Sequence, residues 1–387
     1  MAPVQVQDKY DASQFQTAHG GKTKRGSFTV NSENQTRAKY PEYLPTWNPN
    51  DKYPPYKFMK FHDKGLLADS QDSTYSHLFA NKSNSFTNKR LSPKLGSIID
   101  GIQLSELSDL GKNELAKFVT ERGVVAFKNQ NFNSKGPEFA VDFMKYFGPL
   151  HIHPTSGSPE NFPNMHITFR GASQQELDSV FKNSNNSISW HSDCSYSLNG
   201  LQLTLFSVLQ LPESGGDTLF ANCVEAYNRL SKEFAARLEG LHILHSSKEQ
   251  FENQKKNGGI LRRDFAEENI HPIIRINPLT KQKSLYLNKE FGRRIIELKQ
   301  EESDYLLNFL YDHLEKSQDL QVRISWDEDT IVLWNNATTI HTPVVDFNEP
   351  VIRHAYRISV MGERPINDLK NLNDENYLKE KYEKLSI

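Results

Sequence analysis

Regular alternation of apolar and polar positions begins at about residue 91. Residues 109–122 (DLGKNELAKFVTER) set Leu115, Phe118 and Val119 on one helical stripe, and Gly123 suits the C-terminal cap. Val124, Val125, Ala126 and Phe127 follow as a short buried strand. Phe139, Phe143 and Phe147 recur four apart within 137–147, a second helix that Gly148 closes. A strand-rich stretch is predicted over 188–210, and another strand over 217–221 after Leu-Pro-Glu-Ser-Gly-Gly. Residues 224–239 read as one helix. Residues 246–270 are polar and hold Gly258-Gly259, which suits a lid loop. Strand patterns return at 272–276 and 284–288. Residues 301–316 form an amphipathic helix whose apolar stripe is Tyr305, Leu306, Phe309, Leu310 and Leu314. Strands at 329–334 and 353–360 end the regular part. Strands parted by turns, with helices between them, predict a mainly β fold, a jelly-roll core with helical insertions. Periodicity alone allows another α+β arrangement.

Upstream the pattern differs. Residues 1–39 are polar and poor in large aliphatics. Residues 40–61 (YPEYLPTWNPNDKYPPYKFMKF) are rich in proline and aromatics without a period. They read as an extended arm laid over its own domain or over a partner subunit. The organisation expected is therefore an N-terminal segment and arm over 1–90, a jelly roll over 91–365 with the lid at 246–270, and a tail over 366–387.

Composition narrows the classes. The chain has 387 residues, 36% hydrophobic and 24% charged, enough for one large core. A net charge of -2, with no basic run, argues against nucleic acid. No apolar run is long enough to span a membrane. The two cysteines, Cys194 and Cys223, fit neither a disulfide scaffold nor a zinc site, and point to a reducing, cytoplasmic setting.

Candidate chemistry centres on His191-Ser-Asp193. On a strand, His191 and Asp193 share a face while Ser192 and Cys194 take the other. With His341 downstream they make two histidines and a carboxylate, a facial triad that suits Fe(II) and leaves positions open; zinc takes similar ligands. His313-Leu-Glu315 is rejected as a rival, because on a helix residues two apart diverge by about 200°. His242 and His245 read as structural.

Arg353-His-Ala-Tyr-Arg357 is the second informative stretch. On a strand, Arg353, Ala355 and Arg357 face one way. If that way is inward, two guanidiniums flank a small residue and require two anions. If it is outward, the arginines are solvated and His354, Tyr356 and Ile358 pack instead.

Together these motifs resemble the taurine dioxygenase family of Fe(II)/2-oxoglutarate enzymes. The carriers are Trp190-His191-Ser192-Asp193, Gly215-Gly216-Asp217-Thr218-Leu219-Phe220 and His341…Arg353-x-x-x-Arg357. His151-Ile-His153-Pro154 and Tyr286-Leu-Asn288…Phe291 add to the match, in order over 92–362. Tyr43-Leu-Pro-Thr-Trp47 and Leu372-Asn-Asp-Glu-Asn-Tyr377 extend it towards fungal sulfonate dioxygenases. The resemblance implies a double-stranded β-helix, or cupin-like jelly roll. It implies that His191, Asp193 and His341 bind iron, and that Thr218 and Arg353 hold the distal carboxylate of 2-oxoglutarate. It assigns the substrate sulfonate to His153 and Arg357 and its carbon chain to Phe291, and it turns the arginine strand inward. The activity implied is hydroxylation of an alkanesulfonate beside sulfur with O2 as cosubstrate. Sulfite, an aldehyde, succinate and CO2 would be the products, in the service of sulfur assimilation. An alkyl sulfate ester or another anionic small molecule is the alternative substrate. A non-catalytic metal-binding or sensor jelly roll is the alternative of another class. A homo-oligomer is compatible with all of these. Two positions depart from the bacterial taurine enzymes, Ser156 for a tyrosine and Ser187 for an asparagine. Asn335 follows Trp334 where Asp is common.

Overall fold

Strict alternation along the strand Arg353–Met361 sorts the architecture. Ala355 packs into one core and its neighbours Tyr356 and Ile358 into another. A period of two makes a sheet that is apolar on both faces, so both must be covered. The computed structural model describes residues 21–171, 189–256, 259–346 and 351–385. Among them, Arg353–Met361 lies in a seven-stranded sheet. The order is Thr87–Arg90, Ser97–Asp100, Val124–Phe127, Ile331–Asn335, Leu201–Gln210, Arg353–Met361, His166–Arg170. Every pairing in it is antiparallel except Ser97–Asp100 with Val124–Phe127.

One face of this sheet carries Val125, Phe127, Leu205, Leu333, Tyr356 and Ile358 against the helices Asp109–Arg122 and Gly136–Lys145. The first helix starts where the Ser108 side chain accepts from Gly111 N and ends at Gly123, whose φ of 73° favours glycine. The other face carries Ala126, Val208, Val332, Trp334 and Ala355. It stacks on a three-stranded antiparallel sheet ordered Gln321–Ile324, Thr218–Asn222, Thr339–Pro343. The far side of the small sheet, through Ala221 and Ile340, packs on Leu307, Leu310 and Leu314 of the helix Gln300–Lys316. Two stacked sheets with helices outside make the expected jelly roll, and the interior between them is where side chains from both can meet.

The arm lies on its own chain. Tyr43 is fully buried, stacks on Tyr356 at 5.2 Å and donates to Asn133 O at 3.0 Å. Tyr56 accepts from Ile152 N and sits beside the ring of His151.

Several predicted elements change form. The helix expected over 224–239 is two, Cys223–Asn228 and Lys232–Leu238, because the Ser231 side chain accepts from Phe234 N and starts a new helix. Residues 246–270 include the helix Lys248–Lys256, whose described residues bury no side chain fully; Gly258 lies outside the described residues. Tyr305 and Phe309 are 80% and 52% exposed, so they do not belong to the apolar stripe. Ser303, Leu307, Leu310 and Leu314, spaced four, three and four, are the buried line.

Candidate active site

The strand expected over 188–210 is regular only over Leu201–Gln210. Upstream, His191 forms a two-residue bridge with His341: His191 N donates to His341 O at 3.0 Å, and His341 N to His191 O at 2.8 Å. The chain then turns, and Cys194 takes a φ of 46°. That turn overturns one expectation. Cys194 does not face away from Asp193's side but lines the same cavity. Asn288 and Asn336 hold the turn. Asn288 Nδ2 donates to Ser192 O at 2.8 Å and to Ser195 Oγ at 2.9 Å, and Asn336 Oδ1 accepts from Asp193 N at 3.2 Å.

His191, Asp193 and His341 thus come together with ligand atoms within 4.8 Å of one another. The imidazole centres are 4.4 Å apart, and Nε2 of each ring is 3.8 Å from Asp193 Oδ1. His191 Nδ1 lies 2.8 Å from Ser189 O, which can only accept, so Nδ1 carries the proton and Nε2 keeps its lone pair. Burial, then His191, hold His341 down at about 3, so it stays neutral as a metal ligand must. Burial alone would raise the Asp193 carboxyl, but Arg357 and the two histidines hold it below the usual range. Asp193 Oδ2 is buried without a hydrogen bond. A neutral His341, a His191 that can turn Nε2 to the centre, and an ionised carboxylate with an unsatisfied oxygen fit a divalent metal ion. His313, the rejected rival, binds Ala226 O at 2.8 Å, and His242 and His245 bind Glu297 and Ser195.

The triad opens on a cavity of about 350 Å³ between the sheets. The Thr218, Arg353, His153, Arg357 and Phe291 side chains all line it. Arg353 and Arg357 therefore face inward, and Ala355 between them is fully buried. At one end, Thr218 Oγ1 accepts from Trp326 Nε1 at 3.2 Å, and Arg353 reaches Gly216 O at 3.4 Å. Burial, then Arg170 opposite it across the ladder, push the Arg353 guanidinium down to about 10. A guanidinium held in such a place can take a carboxylate through its forked donors. The Gly215-Gly216-Asp217 turn that brings Thr218 here has φ of 86° and 77° at its glycines. Asp217 ties it to Arg323 and Ser325, while Asp346 accepts from Gly216 N at 2.8 Å.

At the other end, Arg357 contacts Asp193 Oδ1 and His166 Nδ1. The His153 and His166 rings are 4.4 Å apart, and burial foremost keeps both far below their ordinary pKa. Ser156 Oγ is 2.9 Å from His153 Nδ1. Phe291 stands edge-on to Tyr196 at 4.8 Å. His166 was not singled out by the sequence pattern. The signal was its alternation with Thr168 and Arg170, but only the register places it opposite Arg357. Ser187 lies outside the described residues. Asn335 is buried away from the cavity, where Nδ2 donates to Thr120 Oγ1 at 3.0 Å and Oδ1 accepts from Ala337 N at 2.9 Å.

A family model described as taurine catabolism dioxygenase TauD, TfdA family, matches residues 87–359. The chain belongs to that family. It is 48% identical, over 91% of its length and 85% of the relative's, to an alpha-ketoglutarate-dependent sulfonate dioxygenase of Saccharomyces cerevisiae (strain ATCC 204508 / S288c). A putative protein of the same description from Schizosaccharomyces pombe (strain 972 / ATCC 24843) is 36% identical over 94% of this chain and 89% of its own. Among solved structures, a putative alpha-ketoglutarate-dependent taurine dioxygenase from Burkholderia xenovorans superposes with a TM-score of 0.60 at 25% identity. That match covers 73% of this chain and 94% of the other. Membership fits the site: a dioxygenase of this family uses Fe(II), 2-oxoglutarate and O2, and the triad opens on a cavity lined by two arginines. No helix among the described residues is long and apolar enough to cross a membrane.

Proposed function

We propose that this chain hydroxylates an alkanesulfonate at the carbon bearing sulfur, using 2-oxoglutarate and O2. The observation that carries the reading is the pair of inward guanidiniums on one strand, Arg353 beside Thr218 and Arg357 beside His153, at opposite ends of the cavity that holds the triad. His191, Asp193 and His341 would hold Fe(II). Bound there with 2-oxoglutarate and O2, iron supplies the oxidation. The protein binds, orients and excludes water.

Arg353 and the Thr218 hydroxyl take the distal carboxylate of 2-oxoglutarate. Arg357 and His153 take the sulfonate, whose oxygens match forked and single donors. Phe291 bounds the carbon chain, so the carbon next to sulfur is held nearest the triad. Hydroxylation there gives a 1-hydroxysulfonate. Loss of its hydroxyl proton and cleavage of the carbon–sulfur bond give an aldehyde and sulfite, beside succinate and CO2. Release of sulfite suits a role in sulfur assimilation. Two free buried thiols, Cys194 and Cys223, support a reducing cytoplasm as its place.

The test is a screen of taurine, isethionate and longer alkanesulfonates with Fe(II) and 2-oxoglutarate, reading sulfite and succinate together. Matched sulfite and succinate are expected. Succinate formed only with an alkyl sulfate ester would move the substrate class. Iron bound without succinate from any substrate would overturn the enzyme reading.

A further inference from the structure

We infer that His166 is a positioning residue of the sulfonate end: through Ser156 and Arg357 it fixes the donors that His153 and Arg357 present to the substrate. The inference rests on the sulfonate reading above. It follows from which atoms can give a hydrogen and which can only take one.

A guanidinium only donates, and Arg357 lies 3.2 Å from His166 Nδ1. His166 Nδ1 is therefore the acceptor, and in the neutral ring the proton sits on Nε2. That nitrogen faces two hydroxyls, Thr168 Oγ1 at 3.4 Å and Ser156 Oγ at 3.5 Å. Ser156 Oγ can accept there while its own hydrogen goes to His153 Nδ1 at 2.9 Å. A second donor agrees, because Thr155 N–H points at the same His153 Nδ1 at 3.4 Å. His153 Nδ1 is thus an acceptor twice over, and its proton sits on Nε2. The relay runs Arg357 to His166 to Ser156 to His153, and it leaves His153 with a neutral N–H to offer an anion. Asp193 takes one arm of the Arg357 guanidinium and His166 the other, so the plane of the fork is fixed as well.

Ser156 stands where the bacterial taurine enzymes carry a tyrosine. A serine cannot reach across the cavity as a phenol does. Here it works one step back, as the link between two imidazoles 4.4 Å apart at their centres. His166 and Ser156 thus leave one uncharged donor, His153 Nε2–H, beside the Arg357 guanidinium. Such a pair recognises the oxygens of a sulfonate without demanding an amine at the far end of the substrate.

The experiment compares wild type, His166→Leu, His166→Asn, Ser156→Ala and the double variant Ser156→Ala/His166→Leu. Taurine and isethionate are the probes. Steady-state sulfite release gives KM and kcat, and calorimetry on the anaerobic Fe(II)–2-oxoglutarate complex gives sulfonate affinity without turnover. His166→Leu and Ser156→Ala should each raise the sulfonate KM and Kd on the order of tenfold, about the net worth of one hydrogen bond. The KM for 2-oxoglutarate should stay unchanged. His166→Asn, which restores an acceptor for Arg357, should recover most of the affinity. The double variant should be no worse than the poorer single one, because both break one relay. Multiplying defects, an Asn variant as weak as Leu, or unchanged sulfonate affinity in both single variants would each overturn the relay. If His166→Leu does not fold, Ser156→Ala and His166→Asn decide alone. Wild-type enzyme that binds and cleaves no sulfonate defeats the functional reading itself, a result separable from normal wild-type cleavage with indifferent variants.

Discussion

At the scale of single residues, the two arginines of one strand should be separable by measurement. Arg357→Ala removes the sulfonate's charged partner and leaves the buried Asp193 carboxylate without its counter-charge. Sulfonate binding should weaken by about 2–5 kcal/mol while the KM for 2-oxoglutarate holds. Arg353→Ala should do the reverse, raising the 2-oxoglutarate KM with little change in sulfonate affinity. Kinetics with each substrate varied in turn checks both. The triad, Thr218 and both arginines were legible through the family motifs that bring them together, since pattern alone left the His-x-Asp pair weak and the arginine strand free to face either way. His166 was not, because a lone histidine in a strand says nothing until the register sets it against Arg357. Cys194 was misplaced for a backbone reason: one positive φ broke the alternation on which its direction depended.

At the scale of elements, the helices Asp109–Arg122 and Gly136–Lys145 were legible from period and glycine punctuation, whereas interruptions made by side chains were not. Ser231 splits a helix by capping a new one, a choice periodicity does not record. Aromatic residues on the helix Gln300–Lys316 misled because hydrophobicity does not say which side meets the small sheet. The arm gives a stability prediction. Tyr43→Ala removes a ring stacked on Tyr356 and a hydrogen bond, and should cost about 3–5 kcal/mol by urea unfolding. The C-terminal helix Lys379–Leu385 gives a pH prediction. Burial alone would raise Glu297, but hydrogen bonds from His242 and Lys381 hold it at about 2, against an ordinary 4.5. A lowered carboxyl stabilises the fold fully above pH 4.5, and that stabilisation is lost as pH falls towards 2. Glu297→Gln should therefore melt earlier than wild type at neutral pH, and the gap should close in acid. Thermal melts across that range check it.

At the scale of the whole molecule, the cavity is roofed by one sheet and floored by the other, so its occupants touch both. Fe(II) and 2-oxoglutarate bind the folded chain and not the unfolded one. At about a hundredfold over Kd a ligand adds about 2.7 kcal/mol of stability. Calorimetric melting should shift up with both present and fall back with a chelator. The stacking of the two sheets was legible as a class from strands parted by turns, but their order was not, since pairing lies in hydrogen bonds between distant segments. Family motifs supplied what local pattern could not.

The two-hydrogen-bond bridge between His191 and His341 carries a last consequence. It clasps two ligands that lie far apart in the chain, so the metal site exists only in the folded molecule. Iron affinity therefore acts as a gauge of the whole fold. Core substitutions away from the ligands, such as changes at Leu115 or Leu310, will register first as a protein that holds its metal poorly. A metal-loading assay on a library of such variants would rank core integrity before any of them visibly unfolds.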